Sequence, residues 1–235
     1  MGPAAGVRSK IVAVESRAGF AETAAAILAE EIRAAIEAHG RCALALAGGS
    51  TPRETYARLA ATTHVGRFPW SAVDFYFGDE RCVPLDDPES NYRMARDTLF
   101  DPLRIPAERI HRIEGERMDP RSAAAEYERL LPDRLDLLLL GIGEDGHTAS
   151  LFPGSPALDE RALRVLAVEA PKPPPRRVTI TPPVLESARR ILVLASGASK
   201  AEAVARALEG PLDPKRTPAQ LARRGLWILD RAARL

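Results

Sequence analysis

Apolar runs of five or six residues alternate along this chain with longer alanine-rich segments of helical period, and that alternation predicts parallel strands joined by crossover helices. KIVAVES reads as a first strand. After it comes AGFAETAAAILAEEIRAAIEAHG, in which Phe20, Ala24, Ile27, Leu28, Ile32 and Ile36 recur at helix spacing and Gly40 supplies the stop. CALALA reads as a second strand running into GGSTPRETYARLA, where Gly48 and Gly49 make a tight turn and Ser50 or Thr51 with Pro52 fits the cap and first turn of a helix. VDFYFG is the third strand. It leads into the polar loop DERCVPLDDPESNYRMARDTLF, which turns helical near Ser90 or Asn91. LDLLLLG is unbroken leucine, as expected of a central strand covered on both faces. RVLAVE, a stiff PKPPPRR connector, VTIT, ILVLA with SGASKAEAVARALEG, and finally LWILD complete the pattern. About seven strands with helices between them predict an α/β fold: one domain over residues 1–235, built on a mostly parallel, Rossmann-like sheet with helices on both faces. There is no internal repeat, and the proline cluster is too short to be more than a rigid loop.

Composition narrows the partners. A chain of 235 residues that is 46% hydrophobic can bury a large core. Lys and Arg total 33 against 32 Asp and Glu, so the formal charge of +1 gives no wholesale attraction to nucleic acid or to an anionic membrane, and neither partner is expected. Any anion must be bound locally. The opening MGPAAGVRSK has no apolar signal core, and no apolar run approaches the roughly 20 residues that span a bilayer, so a cytoplasmic protein is the expectation. Cys42 and Cys82 lie in or beside predicted strands without CxxC spacing, in the manner of buried thiols of a reducing compartment.

The chemistry is concentrated in three turns. In LDLLLLGIGEDGHTASLFPG the leucine strand enters a turn that holds G-x-G-x-x-G and, one residue later, His147. A dinucleotide fingerprint belongs on the first βα unit, opens a long helix, and is followed about 20 residues later by an acid at a strand end. This turn follows a middle strand, Pro153, Gly154 and Pro156 interrupt the next helix, and no strand clearly precedes Asp159 and Glu160. The glycines are therefore expected to admit a small substrate at the C-terminal edge of the sheet. His147 has Asp145 two residues before it, a carboxylate able to fix its tautomer and raise its basicity, which makes it a candidate general base. His39, His64 and His111 are scattered without ligand spacing.

GGSTP offers backbone N–H groups and hydroxyls at a helix N-terminus, which binds a phosphate monoester but also describes an ordinary capped helix. Lys200 at the helix start after ILVLA, and Arg176 or Arg177 at the start of VTIT, bring cations to the same edge. Singly each reads as surface charge; together they make an anion pocket. Asp79, Glu80 and Arg81 after the third strand suit either acid–base work or a salt-bridged loop, and spacing does not separate these. Without a G-x-S-x-G elbow, an HExxH or a Cys/His cluster, neither a covalent serine hydrolase nor a zinc enzyme is expected.

LALAGGSTP, FYFGDERCVPLDDPESNY, LLLLGIGEDGHTASLFPG, RVTITPPVL and SGASKAEA, in this order and at this spacing, make the chain resemble the glucosamine-6-phosphate isomerase/6-phosphogluconolactonase family over nearly its whole length. The C-terminal stretch matches least. In the deaminase branch the histidine turn reads like D-G-H-x-x-F-N-E-P, its glutamate completing an Asp-His-Glu set. Phe152 stands where that glutamate would fall, which favours the lactonase branch.

The resemblance implies opening of 6-phospho-D-glucono-1,5-lactone in the oxidative pentose phosphate pathway, without metal or cofactor. It implies His147 as base, oriented by Asp145, with the phosphate held by the Ser50/Thr51 helix start, Lys200 and Arg177, and Arg81 or loop N–H groups at the oxyanion. The implied contact set is Gly48, Gly49, Ser50, Thr51, Asp79, Arg81, Asn91, Gly146, Arg177 and Lys200. The implied partner is a small sugar-phosphate lactone, and a monomer or weak homo-oligomer is expected. Two other readings are a phosphosugar deaminase or isomerase and a non-catalytic sugar-phosphate sensor. A sensor would carry an additional DNA-binding or effector segment, and none is apparent.

Overall fold

The computed structural model describes residues 10–63 and 68–234; His64 and the first nine residues of the opening MGPAAGVRSK lie outside the described residues. Among the described residues nine strands form: β1 (Lys10–Val14), β2 (Cys42–Leu46), β3 (Val73–Phe77), β4 (Asp79–Arg81), β5 (Leu137–Gly141), β6 (Val165–Glu169), β7 (Arg176–Ile180), β8 (Arg190–Ala195) and β9 (Leu226–Asp230). Six of them make one sheet in the order β1-β9-β8-β5-β2-β3, with every pairing parallel. All five residues of β2 are buried, as are Leu137 to Leu140 of β5, so the middle of this sheet is covered on both faces.

The helices are α1 (Arg17–His39), α2 (Ser50–Thr62), α3 (Asn91–Ala95), α4 (Asp101–Leu103), α5 (Pro120–Leu130), α6 (Pro182–Ser187) and α7 (Ala201–Leu208). α1 starts at the Ser16 cap, whose hydroxyl accepts from the Gly19 amide at 3.3 Å, and stops at Gly40, which takes the left-handed φ of 75°. α3 begins at the Ser90 cap where the sequence predicts it, and continues through a π-helical turn (Arg96–Phe100) into α4. No helix of the described residues is long and apolar enough to cross a membrane.

Three expectations are corrected. β6 and β7 do not join the parallel sheet but form a separate antiparallel sheet, β4-β7-β6. The start of the predicted polar loop is itself the strand β4. Its three polar residues carry no period-2 pattern and are ordered only by pairing with β7, with Asp79 opposite Thr179, Glu80 opposite Val178 and Arg81 opposite Arg177. The cap of α2 is Gly49 (φ 104°) rather than Ser50 or Thr51, and no side chain caps this helix.

Topology places a crevice. From β2 the chain crosses outward to β3, whereas from β5 it crosses the other way to β8, so the connections diverge at the β2–β5 seam. That seam has only two paired positions, Leu44 with Leu137 and Ala45 with Leu138.

Two fully buried tyrosines fix the strand ends beside it. The Tyr56 hydroxyl of α2 donates to the Ala47 carbonyl and accepts from the Ala47 amide, both at 2.9 Å. Tyr127 of α5 grips Phe77 in the same way, at 2.8 and 2.6 Å. Burial pushes both hydroxyls well above the ordinary tyrosine value, so they remain protonated donors.

Candidate active site

A cavity of about 400 Å³ opens at the C-terminal ends of β2, β5 and β8. Its floor is the turn after β5. The Gly143 amide donates to the His147 carbonyl and the Gly146 amide to the Gly143 carbonyl, both at 2.9 Å, which closes the turn and brings Asp145 alongside His147. Asp145 Oδ1 lies 2.5 Å from His147 Nδ1 and also accepts from the His147 amide at 3.2 Å. Nδ1 therefore carries the shared proton, and Nε2 is left without a partner among the described residues. Burial pushes the Asp145 carboxyl up. The hydrogen bond and charge of His147 and the charge of Lys172 outweigh this and hold it well below the usual carboxylate range.

Gly143 is glycine for a different reason from the one the sequence indicated. A Cβ there would collide with His147 Nδ1 and with Asp145 Oδ1, so the missing side chain makes room for the dyad rather than for substrate. Gly141 lines the cavity with nothing within 4 Å of a would-be Cβ, and this is the glycine that leaves space. Behind the imidazole, Phe152 stacks at 4.5 Å between ring centroids, and Lys172 and Arg177 lie 5.3 and 5.5 Å from the same ring.

The small antiparallel sheet supplies the cationic wall. Arg81 and Arg177 stand directly opposite each other on β4 and β7, and both line the cavity. Like charges in that register repel unless an anion lies with them. Arg177 is buried, and burial first, then Arg81, pull its guanidinium below its ordinary value. Arg176 is exposed, because the pleat turns it away from Arg177, and it does not line the cavity. Lys200 caps α7 at the rim, 3.8 Å from Glu144. Ser50 and Thr51 line the cavity at the start of α2, and their amides have no partner among the described residues.

Asp79 lines the cavity and is held at both carboxylate oxygens. Its carboxylate accepts from Ser150 Oγ at 2.7 Å and from Asn91 Nδ2 at 3.1 Å. Asn91 lies behind it, packed where a Cβ of Gly48 would fall, and does not line the cavity. Gly146 (φ 89°) also lies outside it, against Thr217. Gly48 and Gly49 both line it.

Glu80, for which spacing left acid–base work and a salt-bridged loop both open, is buried and accepts from the amides of Arg81, Asn91 and Tyr92 at 2.7 Å each, and so ties β4 to the start of α3. Two contributors went unread in the sequence. Ser196 lines the cavity and is held by Asp230 at 2.6 Å. Lys172 comes from the proline connector, whose composition signalled only stiffness. Of the other histidines, His39 and His111 lie against Asp136 and Asp74, at the opposite end of the strands. Cys42 is buried, its thiol pushed up to about 12 by burial, whereas Cys82 is only half-buried.

Comparison with known proteins gives the family. The family model described as glucosamine-6-phosphate isomerases/6-phosphogluconolactonase matches residues 15–228. The 6-phosphogluconolactonase of Mycobacterium tuberculosis is 39% identical over 219 residues, covering 86% of this chain and 87% of the relative. Among solved structures, the 6-phosphogluconolactonase of Thermotoga maritima superposes with a TM-score of 0.84 at 27% identity, over 95% of this chain and all (100%) of the other. That of Trypanosoma brucei does so with 0.83 at 30% identity, over 97% and 98%. The sheet order, the dyad turn and the matched span together make the conclusion plain: the chain belongs to the family of glucosamine-6-phosphate isomerases and 6-phosphogluconolactonases.

Proposed function

We propose that the protein hydrolyses 6-phospho-D-glucono-1,5-lactone to 6-phospho-D-gluconate, the ring-opening step of the oxidative pentose phosphate pathway. The observation that carries this reading is the His147–Asp145 hydrogen bond at 2.5 Å, which leaves Nε2 without a partner among the described residues, at a cavity whose other wall is cationic. The phosphate is held at that wall by Arg177, Lys200 and the unpaired amides of Ser50 and Thr51. Register puts Arg81 beside Arg177, so Arg81 joins the phosphate end.

At the other end His147 Nε2 takes a proton from water as its oxygen bonds to C1. The tetrahedral intermediate then breaks the bond between C1 and the ring oxygen, and His147 returns the proton to that oxygen as it leaves. The new acid ionises to a carboxylate. A δ-lactone is already strained, so a general base worth about 10²–10⁴ in rate suffices. Phe152 favours this reading over deamination, because an apolar ring rather than a carboxylate backs the imidazole.

The test is His147→Ala. Turnover is expected to fall by about two to four orders of magnitude, measured with spontaneous hydrolysis subtracted, while the fold is retained. Wild-type protein should release no ammonia from glucosamine 6-phosphate. Retention of most of the turnover in His147→Ala, or ammonia release by the wild type, overturns the reading.

A further inference from the structure

Lys172 has a setting that a surface lysine lacks. It is flanked by Pro171 and Pro173, and followed by Pro174 and Pro175, so the backbone on both sides is restricted before any contact forms. The buried Arg177 then fastens this segment: its Nε donates to the Pro174 carbonyl at 2.9 Å and its Nη2 to the Pro173 carbonyl at 3.4 Å. The Ala170 amide closes the loop onto the Pro175 carbonyl at 2.7 Å. The ammonium thus delivered lies 3.7 Å from Asp145 Oδ2 and 3.4 Å from His147 Nδ1. Nδ1 already gives its proton to Asp145 Oδ1, so the attraction of Lys172 is to the second carboxylate oxygen.

An ion pair between half-exposed groups adds little to stability. The arrangement matters for what Asp145 does. With Oδ1 on the imidazole and Oδ2 facing Lys172, the carboxylate plane is held from both ends, and the ring it orients is held with it.

We propose that Lys172 is a positioning residue of the dyad, fixing Asp145 and through it His147. This rests on the reading of His147 as the base. The experiment is steady-state kinetics of Lys172→Met, Lys172→Arg, His147→Ala and the Lys172→Met/His147→Ala double variant. Each is assayed on the phosphorylated lactone and on unphosphorylated glucono-1,5-lactone, with thermal unfolding as the control of fold. Lys172→Met is expected to lower kcat about tenfold on both lactones with KM little changed, as for residues coupled by direct contact. Lys172→Arg should regain most of the loss, and Lys172→Met should cost nothing further where His147 is already alanine.

A loss confined to the phosphorylated lactone would mean that Lys172 reads phosphate. An equal loss with and without His147 would mean that it acts on the lactone directly. No loss would make it a surface lysine. Each of these outcomes overturns the proposal and leaves the base reading intact. High activity in His147→Ala alone overturns the base reading, and the proposal with it.

Discussion

At Gly143 the absence of one carbon decides whether the dyad exists, since a Cβ would occupy the space of His147 Nδ1 and Asp145 Oδ1. Its φ is not in the left-handed region, so alanine is conformationally tolerable and the damage should fall on the ring. Gly143→Ala is expected to fold with a near-normal melting curve and to lose roughly two orders of magnitude in kcat, because the imidazole is displaced from its base position. Calorimetric melting beside kinetics separates the two. The cations at the other end divide in a way their charge alone does not reveal. Lys200 stands at the rim, paired with Glu144 at 3.8 Å, so Lys200→Ala should raise KM for the phosphorylated lactone about tenfold and leave unphosphorylated gluconolactone unaffected. Arg177 also fastens the proline loop, so Arg177→Ala should weaken both substrates, the phosphorylated one more. Comparing KM on the two lactones checks both expectations. The sequence singled out Lys200 by its place at a helix start and the pair Arg176/Arg177 by its place at a strand start; which of the two arginines faces the cavity was left to the pleat of β7.

The elements hold the site by their ends. Ala47 follows β2 directly before Gly48, and Phe77 ends β3 two residues before Asp79; each is gripped through both backbone polar groups by one buried tyrosine. Tyr127→Phe keeps the ring and removes the hydroxyl, leaving the Phe77 N–H and C=O buried without their partner. The expected cost is about 1–3 kcal/mol, seen as a lower urea midpoint with an unchanged slope. The strands of the main sheet and the start of α3 were readable from apolar runs and a serine cap, since period and cap chemistry reside in a few neighbouring residues. β4 was not, because Asp79-Glu80-Arg81 has no strand pattern and is ordered by β7, about a hundred residues further along the chain. The role of the proline connector was hidden for the same reason: its stiffness is local, but the place to which it carries Lys172 is not.

Across the whole molecule the near balance of charge leaves acid stability to a few depressed carboxylates. Asp145 is depressed by His147 and Lys172 against its burial, Asp230 by Ser196 and the amides of Gly197 and Ala233 against its burial, and Glu116 by Arg112. A carboxyl whose folded value is depressed contributes stability that is complete above its unfolded value, near 4, and that is lost as the pH falls from there through the folded one. The urea midpoint of the wild type should therefore drop between pH 6 and pH 3, and Asp145→Asn should drop by less over the same interval. An equal drop in both would show that the dyad adds nothing to acid stability. The sequence by itself determined the α/β class, the order of the strands along the chain, the helix stops and caps at Gly40 and Ser90, and the pairing of Asp145 with His147, because hydrophobic period, turn chemistry and a two-residue spacing act over short range. Only the tertiary structure decided that Arg81 faces Arg177 and Arg176 turns away, that Asn91 supports Asp79 instead of lining the cavity, and that Lys172 meets Asp145. Those contacts join residues far apart in the chain, and their distances follow from sheet register and packing of the whole core, which no local stretch encodes.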